Sequence, residues 1–422
     1  MKDNRYLAKI KVLFNTGFFH IFSSSVLNKI LVFFSNIIVV RIISKVDFGI
    51  YTYALNIVSF VLLVSGIGLV SGTFQLCSEK KEEEKESIYR YGCSVGIKVN
   101  IVLGLIIVLI AEFSHLSING ANEIMVLMLL NPFFLIVFEF QQIYLRSNFE
   151  NKRYSYATTI NTTLIMIASI IGSLALGVKG LIIFRYFAYI VTIFIIMYCY
   201  KVPVSIIRGA YISAEEKKVL FKISIVSMMN NGVSQLLYLL DIFILGVVIS
   251  NEEIVASYKI ATVIPTACIF IPTAIITYIY PYFASHKDDK RWCLNHYKMV
   301  IKYMSILNVL ISAFMVIFAK WIIIIVYGAQ YLDSLSCFRI LVFSYFFSGT
   351  FRIISGNLLV TQRKLGVNFF ISVISGVVNI FGNILLISKL GSEGAAITTL
   401  IVMIISSVLS TVYYVYILKK EN

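Results

Sequence analysis

Eleven ionisable residues sit inside long apolar stretches of this 422-residue sequence. Nine are basic: Lys29, Arg41, Lys98, Arg185, Lys259, Lys302, Lys320, Arg339 and Arg352. Only Glu139 and Asp241 are acidic, apart from Glu123 at the first residue of its stretch. An ionised group at mid-membrane costs roughly 2.5–3.5 kcal/mol on insertion scales, so each is a functional candidate that should face the protein interior. The chemistry on offer is electrostatic capture. Nine cations against two anions attract an anion and repel cations, which suits a phosphate or pyrophosphate headgroup and not a cationic drug or a metal ion.

These candidates are not equivalent. Lys98, Arg185, Lys302, Lys320 and Arg339 lie close to the ends of their stretches, where a long side chain reaches the interface by snorkelling. Lys29 and Arg352 each lie roughly 12–15 Å along a helix at about 1.5 Å per residue, too deep for that explanation. Lys29 shares a helical stripe with Ser25 and Asn36, as a residue facing a wet cavity would. Asp241 follows Asn230, Asn231, Ser234, Gln235 and Tyr238, a polar face that bare lipid would not tolerate. It is either a salt-bridge partner for a neighbouring cation or a group that changes protonation during transport, an ion-coupling candidate. Glu139 with Gln142 and Arg146 reads as a local pair at a helix end. No phosphate-loop motif is present, and His20, His115, His286 and His296 show no metal-ligand spacing and no paired nucleophile. No enzyme site, metal or cofactor is expected.

The elements that must position these charges follow from composition. Hydrophobic residues make up 59% of the chain and charged residues 14%, with a mean hydropathy of +0.89. That excludes a disordered chain, a disulfide scaffold and an ordinary cytosolic enzyme. The net charge of +15 resides in short segments between apolar runs, which points to membrane topology and away from nucleic acid. The fold class is therefore all-α and polytopic. Twelve spans of about 20 apolar residues or more are expected over 19–43, 50–76, 92–111, 123–145, 156–176, 181–200, 223–249, 255–284, 299–325, 336–359, 367–388 and 395–417. With both termini inside, the inner segments hold 24 Lys and Arg and the outer loops only Lys45, Lys179 and Lys389. This asymmetry predicts a multi-pass protein of an inner, energised membrane with both termini cytoplasmic.

The chain also repeats itself. Leu176-Gly177-Val178-Lys179-Gly180 recurs 214 residues later as Leu390-Gly391-Ser392-Glu393-Gly394. Ser25, Lys29 and Asn36 match Asn230, Ser234 and Asp241 at an offset of 205, and Tyr51 and Ala54 match Tyr258 and Ala261. Two parallel six-helix bundles are expected, 1–210 and 211–422. Pro265, Pro272 and Pro281 all fall in the eighth span, and its partner, the second span, carries Gly66, Gly68 and Gly72. These are either the bending elements of a gate or packing kinks.

Three short motifs then resemble a known family. Ser44-Lys45-Val46-Asp47-Phe48-Gly49-Ile50-Tyr51-Thr52-Tyr53-Ala54 is similar to the F-G-x-Y-x-x-A stretch of Wzx-type polysaccharide flippases. That family belongs to the multidrug/oligosaccharidyl-lipid/polysaccharide exporter (MOP) superfamily. Tyr327-Gly328-Ala329-Gln330-Tyr331 resembles its F-G-x-x-Y signature, with Tyr in place of Phe. Gly391-Ser392-Glu393-Gly394-Ala395-Ala396 resembles its G-x-x-G-A-A turn. The resemblance implies a MOP-transporter-like fold and an alternating-access flippase for an undecaprenyl-pyrophosphate-linked oligosaccharide, such as an O-antigen unit of lipopolysaccharide biosynthesis. It implies membrane lipids, a polysaccharide polymerase and a chain-length regulator as partners. In related peptidoglycan-precursor flippases, cations on helices 1 and 8 line the headgroup cavity, which implies Lys29 and Lys259 here. The substrate site expected from these readings is Lys29, Asn36, Arg41, Lys259 and Arg352, with Asp241 as coupling group and Gly66, Gly68, Pro265 and Pro272 as hinges. Two alternatives remain: a multidrug/cation antiporter on the same scaffold, which would need a net acidic cavity, and a membrane polymerase or glycosyltransferase, which would need long outer loops.

Overall fold

The structure is a computed structural model that describes residues 18–80, 82–204 and 211–420. Lys2, Arg5, Lys9, Lys11, Lys81 and Arg208, used above for orientation, lie outside the described residues, as do the side chains of Asn230, Ser234 and Tyr238.

Apolar segments of this length fold as helices because a helix satisfies its own backbone groups in hydrocarbon, and no strand occurs among the described residues. Eight helices are long and apolar enough to cross a membrane, and two bent pairs raise the number to ten. The pairs are α2 (Lys45–Leu62) with α3 (Leu69–Glu79), and α5 (Ala121–Leu127) with α6 (Asn131–Ser147). Helix α7 (Asn151–Cys199) breaks at Leu176 and Gly177 into two spans. Helix α8 (Ala214–Ile249) carries a shorter apolar stretch, Leu239–Ile249, and with it and the two halves of α7 the described helices are roughly consistent with the twelve spans expected.

The chain forms two compact units, Met1–Gln235 and Leu236–Asn422. Their boundary falls inside α8, whereas the internal repeat places it at 210/211. In the first unit, α1 (Phe18–Ile42) packs along α7. A core of Leu69, Ile88, Ile97, Ile136, Phe140 and Leu220 joins α3, α4 (Glu82–Phe113), α6 and α8. The second unit contains α9 (Glu252–Cys268), α10 (Phe270–Ser285), α11 (Lys290–Ile317), α12 (Ala319–Val326), α13 (Leu335–Phe347), α14 (Ile353–Thr361), α15 (Leu365–Leu390) and α16 (Ser392–Lys420). Its core gathers Ile276, Phe283, Tyr297, Ile354, Leu358 and Tyr414.

Local geometry repeats between the units. Gly177 adopts φ 59°, ψ −138° and Gly391 φ 57°, ψ −135°, a backbone region open to glycine. A Cβ at Gly180 would strike the carbonyl of Gly172, and one at Gly394 the carbonyl of Leu386, the residues that correspond at the 214 offset. Ser44 caps α2 by accepting from Asp47 N at 3.1 Å, and Asn251 caps α9 by accepting from Ile254 N at 3.0 Å.

The predicted hinges differ in construction. Gly66, Ile67 and Gly68 all take positive φ, and α2 and α3 bend by 40° across them. Fully buried Asn100 accepts from Gly66 N at 2.6 Å and donates to Ser65 Oγ and Pro132 O, so the break is tied down. Gly68 and Gly72 also allow close approach to Ser224 of α8. In the second unit, α9 and α10 meet at Ile269, between Pro265 and Pro272, with Ile269 N donating to Thr266 O at 3.2 Å. Asn308, equally buried, donates to Thr350 Oγ1 at 3.0 Å and accepts from Tyr345 Oη at 2.7 Å.

Candidate functional site

Asp241 is the focus of the second unit. Its Oδ1 accepts from Asn379 Nδ2 at 2.8 Å and Asn383 Nδ2 at 2.7 Å. Its Oδ2 accepts from Tyr258 Oη at 3.0 Å and Thr399 Oγ1 at 2.6 Å. Four uncharged donors from α9, α15 and α16 thus surround one buried carboxylate of α8. Among the described residues no ion pair engages it. A carboxylate accepting several hydrogen bonds is held without a cation, so the geometry departs from the salt-bridge alternative.

The same carboxylate lines a cavity of about 220 Å³ together with Tyr258, Lys259, Thr262, Pro265 and Thr399. Lys259 is half-buried, its backbone carbonyl takes the Thr262 hydroxyl at 2.7 Å, and no ion pair engages its ammonium among the described residues. Three predicted residues, Lys259, Asp241 and Pro265, therefore meet at one place. Arg352 does not line this cavity. It closes the π-helical turn Ser348–Arg352 and lies over Gly356, whose missing side chain makes the room. In the first unit, Lys29, Asn36 and Arg41 are all exposed on α1. Pro272 packs beside Gly349, outside the lining. Glu139 forms no ion pair among the described residues, and Arg146 instead stacks over Phe74 at 4.5 Å and Tyr154 at 5.4 Å.

The first unit holds a second polar centre. Arg185 donates from Nε to Ser169 Oγ at 2.8 Å and from Nη1 to Tyr51 Oη at 2.7 Å. A partly buried guanidinium fixed by two hydroxyls is not snorkelling, although its place near a helix end reads that way in the sequence. Asn379, Asn383 and Thr399 were missed for a different reason: single polar residues on apolar helices look like tolerated packing. The signal that finds all of them is the repeat. At the 214 offset Ser169 falls on Asn383 and Arg185 on Thr399.

The profile of a family described as polysaccharide biosynthesis protein matches residues 38–336. The chain belongs to that family. No curated protein matches it. Solved structures agree on the fold of this family member. An inward-facing multidrug resistance MATE family transporter of the MOP superfamily superposes with a TM-score of 0.78 at 15% identity, over 93% of this chain and 96% of that one. The lipid II flippase MurJ in an inward closed conformation gives 0.71 at 18% identity, over 93% and 87%. A MOP superfamily transporter from Pyrococcus furiosus, described by the reverse polarity of its binding pocket, gives 0.60 at 14% identity, over 96% and 94%. The family member is thus a multi-pass membrane protein with a MOP-type fold.

Proposed function

We propose that the chain flips an undecaprenyl-pyrophosphate-linked oligosaccharide from the cytoplasmic to the periplasmic leaflet of a bacterial inner membrane by alternating access, with both termini cytoplasmic. The observation that carries this reading is Lys259, a half-buried basic side chain that lines the same largely apolar cavity as Asp241 without an ion pair to it among the described residues, in a member of a polysaccharide biosynthesis family. The excess of nine basic over three acidic residues within the spans, Glu123 at the edge of one, favours an anionic headgroup over the cationic drug of an antiporter. Short outer loops speak against a polymerase. At about 220 Å³ the cavity admits roughly seven waters' volume, room for a phosphate group and not for an oligosaccharide. Lys259 then holds the headgroup while the lipid tail stays in the bilayer. A polymerase and a chain-length regulator receive the flipped unit. Bending at Gly66–Gly68 and Pro265–Pro272 exchanges the open side, and Asp241 couples the cycle to an ion gradient. No cofactor is involved.

In a deletion strain, undecaprenyl-linked oligosaccharide should accumulate and surface polysaccharide should vanish, and the wild-type chain should restore both. Lys259→Ala at normal expression should not. Full surface polysaccharide with Lys259→Ala would refute the cationic-cavity reading. Asp241→Asn activity that tracks wild type across pH would remove Asp241 from coupling.

A further inference from the structure

Corresponding positions of the two units carry the same framework with the charge reversed. In the second unit, Tyr258, Thr399, Asn379 and Asn383 all donate to Asp241. Their counterparts in the first unit are Tyr51, Arg185, Ile165 and Ser169, and Asp241 itself corresponds to Asn36. Tyr51 and Ser169 carry a hydroxyl, Ile165 is apolar, a guanidinium stands where Thr399 does, and the chain's own carboxylate is gone. Tyr51 and Ser169 already accept from Arg185, so each hydroxyl hydrogen is left to donate, and neither has an acceptor among the described residues. No acidic side chain pairs with Arg185 among the described residues either. Tyr51 and Arg185 line a cavity of about 90 Å³ together with Asn131, Ile165 and Tyr186, and Ser169 holds the guanidinium from outside that lining. Its volume equals about three waters, enough for one phosphate or carboxylate group and too small for a sugar ring. Converging donors around a fixed guanidinium favour an oxyanion, and the planar fork of arginine suits one with two oxygens to offer.

We infer that the Arg185 cavity of the first unit is an oxyanion site, taking from outside the anion that the second unit supplies as Asp241. Its ligand is a single phosphate or carboxylate group, borne either by a soluble molecule or by a lipid headgroup. This site is separate from the Lys259 cavity and does not rest on the flippase reading.

The test uses the purified full chain. Inorganic phosphate is titrated against the detergent-solubilised protein while thermal stability is recorded, with sodium chloride at matched ionic strength as control. In a second arm the protein is placed in nanodiscs of phosphatidylcholine with or without phosphatidylglycerol, without added phosphate. Phosphate should raise the melting temperature in a saturable way beyond the salt control, or phosphatidylglycerol should do so. The first result assigns a soluble ligand, the second a lipid headgroup. Arg185→Gln should weaken the response about tenfold or more, and Tyr51→Phe and Arg185→Lys by about three- to tenfold, in keeping with one lost hydrogen bond or the lost fork. Lys179→Gln, a surface cation of the same unit, should leave it unchanged. A response that persists in Arg185→Gln, or none in either arm with wild type, overturns the site. Because the readout is binding, loss of phosphate response in an Arg185→Gln variant that still supports polysaccharide assembly upholds the site and leaves the flippase reading untouched.

Discussion

The Asp241 and Arg185 clusters are two answers to one packing problem. Both place a tyrosine from the start of a span opposite polar side chains from the two spans joined by a Gly-containing turn. In the second unit the cluster is closed on itself, since four donors meet one carboxylate. In the first it is open, since a guanidinium donates to two hydroxyls whose own hydrogens have no acceptor among the described residues. The difference teaches that the repeated scaffold sets where polarity is tolerated inside the bundle, and one or two side chains set its sign. A closed cluster contributes to stability by itself. An open one gives part of its stabilisation only when a ligand arrives, and this asymmetry separates a structural or ion-exchanging centre from a binding centre.

The sharpest way to break the comparison is to empty both clusters. Asp241→Ala leaves three buried donors and the partly buried Thr399 hydroxyl without their acceptor, and unmade buried hydrogen bonds cost about 1–3 kcal/mol each before water refills the space. A net loss on the order of 3 kcal/mol is expected in reversible unfolding in detergent, together with loss of transport. Ser169→Ala removes one acceptor from a guanidinium that keeps Tyr51, and about 1 kcal/mol is expected. Equal losses would show that the two centres do not differ as described.

A charge transplant comes next. If Asn36 corresponds to Asp241, then Asn36→Asp gives the first unit an anion at the position that Asp241 holds in the second. The phosphate response should fall about tenfold, some 1.4 kcal/mol, while the fold survives. An undiminished response would mean that the register linking α1 to α8 is wrong.

That register was readable in the sequence only in part. The spans were legible because hydrocarbon demands about 20 apolar residues and tolerates few charges. The Gly177 and Gly391 turns were legible because glycine marks a backbone that other residues resist. The centres were not. Asp241 drew notice by its charge, but its partners Asn379, Asn383 and Thr399 lie 138 to 158 residues away, and nothing local in an uncharged side chain says what it faces. Arg185 was discounted by depth along its helix, a criterion blind to Tyr51, its partner 134 residues distant. The unit boundary shifted to Gln235 for a related reason: the first part of α8 packs through Ser224 on Gly68 and Gly72, a contact no loop composition reveals.

The turns offer a smaller test of the same symmetry. Gly177 and Gly391 share their φ and ψ within a few degrees, and neither has an atom within 4 Å of a built Cβ. Alanine at either place is strained by backbone conformation alone, at about 1–2 kcal/mol. The two substitutions should therefore cost the same within about 0.5 kcal/mol in thermal unfolding. A large inequality would show that the turns match in shape and not in function.

The smallest effect guards the pH evidence. Ser213 and Glu216 form a capping box at the start of α8: Ser213 N and Oγ each donate to Glu216 Oε2 at 2.9 Å, and Ser213 Oγ accepts from Glu216 N at 3.2 Å. These bonds, with Lys80 at 3.7 Å as a lesser cause, hold the Glu216 carboxyl below the usual glutamate range. A lowered folded-state value means that folding favours the ionised form. The stabilisation is complete above the ordinary glutamate pKa of about 4.3 and disappears as pH falls through the lower folded value. Glu216→Gln should flatten that acid limb of the stability curve by a small amount, because the pair is largely solvated. Any pH dependence of transport that belongs to Asp241 must survive in Glu216→Gln. If it vanishes there, the titration belongs to the loop, and the contrast between the two buried centres must rest on their hydrogen bonds alone.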